Sequence, residues 1–338
     1  MIYAPIIIPT CNRITHLKRC VESLARNPWA KYTELYISQD YPPEKRFFEG
    51  YEDVYQYLDS GIKGFKQVYV FHQKNNLGPS ENEAFLCKQV SQKHNCCIFT
   101  EDDNEFSPNY IEYMDKGLEL FKGDSNIISL SASEGLSYAI SDNYLGSYIM
   151  SKRTSPYGMG WWLEKEKELE KEISQKLFNE IIHSTKLQRK IWNMNGSALT
   201  WIAHDLMGEI PAMRDKRGDL SSTVDYNRII YCIVRDKYSV YPIIPMVRNW
   251  GYDGTGVNCI ERRITAEETS RIIIDKSEHF EFWKETGQEK VQRKNDRCYA
   301  GFKSVSVKEI VRSMLIITGR RLLSDKWFEK YKKFIRKL

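Results

Sequence analysis

The apolar positions of the first hundred residues come in short runs separated by stretches with helical spacing. Ile2 to Ile8 reads as a buried strand, and from Asn12 to Ala25 the residues Leu17, Val21 and Leu24 fall on one face of a helix. Leu35 to Ser38, Gln67 to Phe71 and Cys96 to Thr100 repeat the strand pattern. A helix opens at Pro79, where proline suits the first turn and Glu81 and Glu83 complement the free amides. After Thr100 the run EDDNEFSPNYIEYM sets Ser107 as the cap of a helix that begins at Pro108. Strand and helix in alternation imply right-handed crossovers and an α/β fold whose mostly parallel sheet is covered by helices on both faces. Ligands of such sheets bind beyond the carboxyl ends of the strands. Three polar clusters fall there: Cys11-Asn12-Arg13, Ser38-Gln39-Asp40 and Glu101-Asp102-Asp103.

The second half is less regular. A glycine-aromatic segment, SPYGMGWWL, leads into a charged helix that reads as a solvated face held by Glu164–Lys167 and Glu168–Lys171 pairs. Leu220 to Asp236 predicts a further helix with Asp225 in its first turns, and VYPIIPMV runs on to the glycine-containing loop NWGYDGTGVN. Trp161 and Trp162 suit either a sugar-stacking face or the core. No repeat and no long Gly/Ser linker divides the chain.

Charge changes the picture at one end. From Arg320 to Leu338 there are eight basic residues and two acidic ones, whereas the other 319 residues hold 42 basic and 43 acidic groups. The body therefore carries no general basic field for nucleic acid. In the tail Leu322, Leu323, Trp327, Phe328, Tyr331, Phe334, Ile335 and Leu338 recur at three- and four-residue steps. That spacing predicts a basic amphipathic helix, either lying on a membrane surface through residues 320–338 or docked on the core.

Eight cysteines without a CxxC pair read as buried free thiols, and the opening MIYAPIIIPT is too short and proline-broken for a secretion signal. A cytoplasmic protein, peripheral on the inner membrane face, is the expectation. Zinc is disfavoured because the six histidines show no HxxxH. Gly158-Met159-Gly160 lacks the third glycine of a dinucleotide loop, and neither a Walker loop nor a nucleophile elbow occurs. In an extended chain Glu101 and Asp103 would project together while Asp102 turns aside. Carboxylates so spaced suit manganese or magnesium shared with a diphosphate; the plainer alternative is that they complement the dipole of the following helix.

The runs APIIIPTCNRITHLKRCVESLARN, ELYISQD, CCIFTEDDNEFSPNYIEYM, PYGMGWWL, VDYNR and RNWGYDGTGVN, in that order, resemble the nucleotide-sugar glycosyltransferases of GT-A fold. The N-acetylglucosaminyltransferase I family and bacterial surface-polysaccharide sugar transferases are the nearest likenesses. The resemblance implies a GT-A domain over residues 1–300, with a nucleotide-sugar-binding half at 1–130 and an acceptor-side half at 131–300, followed by a helical tail at 301–338. It implies an inverting, metal-dependent transfer of a sugar, GlcNAc favoured, from a UDP-sugar donor to a glycan or lipid-linked glycan acceptor. By position, Arg13 resembles the arginine on the donor diphosphate and Asp40 the aspartate on the uracil ring. Asp103 is similar to the metal ligand (Mn2+ or Mg2+), Glu101 and Asp102 to residues touching ribose and donor sugar, and Asp225 to the catalytic base. Asn76 and Asn82, in HQKNNLGPSENEAF, match a segment beneath the nucleotide, and the glycine loop a flap that orders over the donor. Two alternatives stay open: a catalytically degenerate GT-A domain that binds carbohydrate, and a sugar-nucleotide nucleotidyltransferase, although no glycine-rich phosphate loop is found for the latter.

Overall fold

Strands β1 (Ile6–Thr10), β2 (Glu34–Gln39), β3 (Gln67–His72) and β4 (Cys96–Phe99) alternate with helices α1 (Ile14–Ala25), α2 (Tyr51–Asp59) and α3 (Pro79–Val90). The computed structural model describes residues 1–132, 144–173, 175–209, 224–256, 265–287, 290 and 305–336. The four strands lie parallel in the order β3-β2-β1-β4. Their period-2 pattern buries both faces. Ile6, Ile8, Leu35, Ile37, Cys96 and Ile98 pack against α1, α2 and α4 (Tyr110–Leu120), while Ile7, Tyr36, Cys97 and Phe99 meet Leu86 and Val90 of α3.

The sheet continues through β8 (Met159–Trp162), β6 (Ile127–Ser131), β9 (Tyr238–Pro242) and β7 (Tyr148–Ser151) to eight strands. β8 runs antiparallel to β4 and β6, and β7 antiparallel to β9, which completes the mixed, mostly parallel sheet of a GT-A fold. Trp161 and Trp162 sit on β8 and are buried, and Trp162 donates Nε1–H to the Leu118 carbonyl at 3.2 Å. They are core residues and present no ring to solvent.

Helices α5 (Leu163–Glu172), α6 (Gln175–His183), α7 (Thr185–Met194), α8 (Gly196–Met207) and α9 (Val224–Arg235) build a second core around Ile181, Ile202 and Ile230. The short helix α10 (Ala266–Ser270) is closed by a Thr265–Glu268 capping box. Helices α11 (Val307–Leu322) and α12 (Asp325–Ile335) join that second core through Ile316, Ile317, Phe328 and Ile335. The tail is thus split. Phe328 and Ile335 are buried, whereas Trp327 and Phe334 stay 60% and 58% exposed.

Three local expectations change. Ser107 does not cap a helix at Pro108: its hydroxyl donates to Asn109 Oδ1 at 2.8 Å, and α4 starts at Tyr110. The first strand begins at Ile6, not Ile2. On α5 the Glu164–Lys167 and Glu168–Lys171 pairs are not formed. Lys165 instead donates to the carbonyls of Phe121, Asp124 and Ile127, burial drawing it down to about 8, and Glu166 pairs with buried Arg228.

Candidate active site

The parallel register brings the ends of β1 and β4 side by side, with Ile7 opposite Phe99. Beyond those ends lie Arg13, at the start of α1, and the acidic run Glu101-Asp102-Asp103. The chain does not stay extended there. It turns at Asp102 and Asp103 before β5 (Asn104–Phe106), so the pair that faces one partner is Asp102 and Asp103, not Glu101 and Asp103. Arg13 Nη2 hydrogen-bonds Asp102 Oδ1 and reaches Asp103 Oδ2 at 2.9 Å. Asp102 Oδ2 also accepts from the Thr10 hydroxyl at 2.7 Å. Glu101, partly exposed, adds its charge to the field on Arg13.

These carboxylates are only 3% (Asp102) and 7% (Asp103) exposed. Burial raises the Asp103 carboxyl above its usual range, with Arg13 opposing. Burial works to lower the Arg13 guanidinium, but the charges of Asp102 and Asp103 more than offset that and raise it. Burial, with Asp40 and Asp102 nearby, lifts the Cys11 thiol to about 12, which keeps it protonated and out of nucleophilic chemistry.

A second element closes on Asp103. Strand β10 (Val247–Asn249) pairs antiparallel with β5, Asn249 opposite Asn104. That register sets the following turn on the acidic run. Asn249 Nδ2 donates to Asp103 Oδ1 at 2.7 Å, and the Trp250 amide donates to the Asp103 carbonyl at 2.8 Å. A methyl group on Gly251 would lie 2.2 Å from Asp103 Oδ2, so only glycine permits this approach. The turn is tied back to α1 by the 3.2 Å His16–Asp253 pair and by Arg19 stacked 4.1 Å over the Trp250 ring. Residues 257 and 258 of the loop lie outside the described residues.

Asp40 directly follows β2, at the neighbouring strand end. Its carboxylate accepts four hydrogen bonds: from the amides of Tyr41 (2.9 Å), Leu77 (2.8 Å) and Gly78 (2.8 Å), and from Asn76 Nδ2 (3.0 Å). Burial raises its pKa, and these amides oppose the shift. Asp40 therefore fixes the Asn76–Gly78 turn that starts α3. Asn82 is buried, with its amide shared wholly with Ser38: Oδ1 accepts from Oγ at 2.5 Å and Nδ2 donates to the carbonyl at 3.0 Å. The structure thus gathers Arg13, Glu101, Asp102 and Asp103, places Asp40 and Asn76 together beside them, and seats Asn82 beneath the sheet. Asp225 is the second residue of α9, and its side chain lies outside the described residues. His204 pairs with Glu209 and Glu309, both at 2.8 Å.

Sequence reasoning missed Thr10, His16 and Asn249. Thr10 had a local signal, as the last residue of a buried strand before a polar cluster. His16 and Asn249 had none, because their partners lie more than two hundred and 146 residues away.

Residues 6–156, from β1 through β7, match the model of the family described as glycosyl transferase family 2. That stretch, less than half of the chain, is similar to glycosyl transferase family 2. Among solved structures the chain is similar to S. aureus TarS residues 1–349, at 14% identity and a TM-score of 0.35, covering 50% of this chain and 50% of that one. It is also similar to a longer S. aureus TarS structure, at 14% identity and a TM-score of 0.34, covering 51% of this chain and 30% of that one. The chain thus spans half or less of the length of these TarS structures, and likeness at that level says nothing of substrate. No curated protein matches the chain significantly.

Proposed function

We propose that the protein is an inverting glycosyltransferase that moves a sugar, GlcNAc favoured, from a UDP-sugar to a hydroxyl of a glycan acceptor. Surface-polysaccharide synthesis on a lipid-linked acceptor is the proposed setting. The observation that carries the reading is the Arg13–Asp102–Asp103 cluster at the carboxyl ends of β1 and β4, clasped by the Asn249–Gly251 turn.

Arg13 stands where a donor diphosphate would meet the N-terminus of α1, and its planar fork suits phosphate oxygens. Asp40 and Asn76 form the base side. To accept a uracil N–H, Asp40 would release one of its four donors, and Asn76, at 3.0 Å, makes the longest of those bonds. Asn76 would keep its 2.7 Å bond to the Tyr41 carbonyl. Asp102 is held rigid by Thr10 and Arg13 for contact with ribose or donor sugar.

Asp103 supplies one carboxylate, and among the described residues no group of three side chains with metal-ligating chemistry surrounds it. That donor set fits a magnesium or manganese ion held chiefly by substrate phosphates, since such ions take one or two carboxylates and keep their other positions for phosphate and water. Bound there, the ion would offset the charge of the departing diphosphate. Asp225 takes the acceptor hydroxyl proton as that oxygen attacks the anomeric carbon, a role needing one carboxylate and no enzymic nucleophile.

Incubating the protein with Mn2+ and a panel of UDP-sugars, and following UDP release with and without EDTA, tests the reading. EDTA-sensitive turnover of one donor is the expected result. Tight UDP binding with no turnover in the presence of glycan acceptors would overturn it in favour of a binding module.

A further inference from the structure

Helices α11 and α12 carry an exposed surface that the donor site does not use. On α11 the residues Val307, Val311, Met314, Leu315 and Leu322 follow one stripe at helical spacing, and each is 41% to 76% exposed. The stripe points away from Ile316 and Ile317, which face the helical core. On α12, Trp327 and Phe334 stand two turns apart on one exposed side, about 100° round the helix from the side that buries Phe328 and Ile335. Tyr331 joins the two helices: its hydroxyl donates to the Leu315 carbonyl at 3.3 Å, its ring lies against Gly319, and Phe334 is 6.3 Å from it.

The charges around this surface are one-sided. Between residues 305 and 336 the acidic side chains are Glu309, Asp325 and Glu329. Each is already paired, with His204, Arg320 and Lys332 respectively. Lys308 and Arg321 flank the α11 stripe, and Lys326, Lys330 and Lys333 lie beside Trp327 and Phe334, with Lys330 4.6 Å above the Trp327 ring. None of these five cations has an acidic partner among the described residues. An exposed apolar stripe edged by unpaired cations, with aromatic anchors, is the complement of an anionic lipid surface, where aliphatic groups enter the headgroup boundary and lysines meet phosphate.

We infer that the outer face of α11 together with the Trp327–Phe334 side of α12 is a docking surface for an anionic bilayer. The contact residues differ from those of a single amphipathic tail helix. Phe328 and Ile335 hold the hairpin to the body, and α11, which begins before the basic run, supplies most of the apolar contact. This also locates the donor site on a body held at a lipid surface, in keeping with a lipid-linked acceptor, although lipid binding is measured without any donor.

Flotation of the full chain with vesicles of phosphatidylglycerol and phosphatidylcholine, compared with phosphatidylcholine alone, reads the surface directly. Binding should require the anionic lipid and weaken with salt. Trp327→Ala combined with Phe334→Ala, and separately Met314→Ser with Leu315→Ser, should each weaken the vesicle partition constant about tenfold. Each lysine of 326, 330 and 333 changed to glutamine should weaken it about fivefold. All of these positions are solvent-exposed, so an unchanged melting temperature would show the fold intact. Phe328→Ala, in contrast, should lower the melting temperature. Failure of the intact chain to float with anionic vesicles, or unchanged binding of both double variants, would overturn the inference. Concentration-dependent dimerisation abolished by Met314→Ser with Leu315→Ser, without flotation, would assign the face to a second copy of this chain instead.

Discussion

Replacing Arg13 by alanine probes the centre of the candidate site. In the native protein one guanidinium serves two carboxylates, Asp102 and Asp103, that are almost wholly withdrawn from water. Its removal leaves Asp102 with the Thr10 hydroxyl and Asp103 with the Asn249 amide, neither of them charged. Breaking a buried pair in this way costs about 3–5 kcal/mol, which for a chain of this size lowers the melting temperature by roughly 4–7 °C. The deficit should depend on pH. Without Arg13 the main opposition to the burial and the Asp102 charge that raise Asp103 is gone. A carboxyl raised in the folded state stabilises the fold at low pH and loses that contribution as pH rises through the folded value. The gap to wild type should therefore be larger at about pH 7.5 than at about pH 5. Arg13→Lys should recover part of the melting temperature, because it restores a charge, but little UDP affinity, because an ammonium cannot reproduce the fork. The assays are thermal melts at the two pH values and calorimetric UDP titration. An alanine variant that melts within about 2 °C of wild type at both pH values and binds UDP normally would refute the pairing as the organiser of the site.

Gly251→Ala places a methyl group 2.2 Å from Asp103 Oδ2. It should reduce donor turnover at least on the order of tenfold at a stability cost of about 1–3 kcal/mol, read by steady-state UDP release and melting. Asp225→Asn should retain UDP affinity while transfer falls by about 10²–10⁴-fold; near-full transfer would remove Asp225 as the base. Asp115 is buried, accepts the Ala4 amide at 2.9 Å through Oδ1, and has no partner for Oδ2 among the described residues. Burial raises its pKa well above the usual value, so its ionisation destabilises the fold as pH climbs above about 4. Asp115→Asn should therefore gain melting temperature relative to wild type as pH increases, and a pH-independent difference would contradict the assignment.

Much of the nucleotide half was legible because its signals are local. Ile6-Ile7-Ile8 alternates between two buried faces, Pro79 marks a helix start, and the polar clusters after β1, β2 and β4 stand at strand ends. The acidic run was legible in composition but not in geometry. A turn, absent from any period-2 pattern, swings Asp102 towards Arg13. The Trp161–Trp162 pair could not be assigned locally, since an aromatic run in a strand looks the same whether helices or solvent cover it; α4 and α3 decide the matter by burying both rings.

The sequence by itself determined the βαβ rhythm, the parallel first half of the sheet and the residues gathered at its carboxyl edge, since each follows from side-chain spacing within a few residues. Only the tertiary structure decided which carboxylate meets which donor. Asn249 reaches Asp103 across 146 residues, through the register of β5 on β10, and one guanidinium bridges two neighbours of a turn. It likewise divided the apolar residues of the tail between the core and an exposed face. A helix pattern records that a side is apolar, but what covers that side depends on residues distant in sequence, such as those of α8 against which α11 packs.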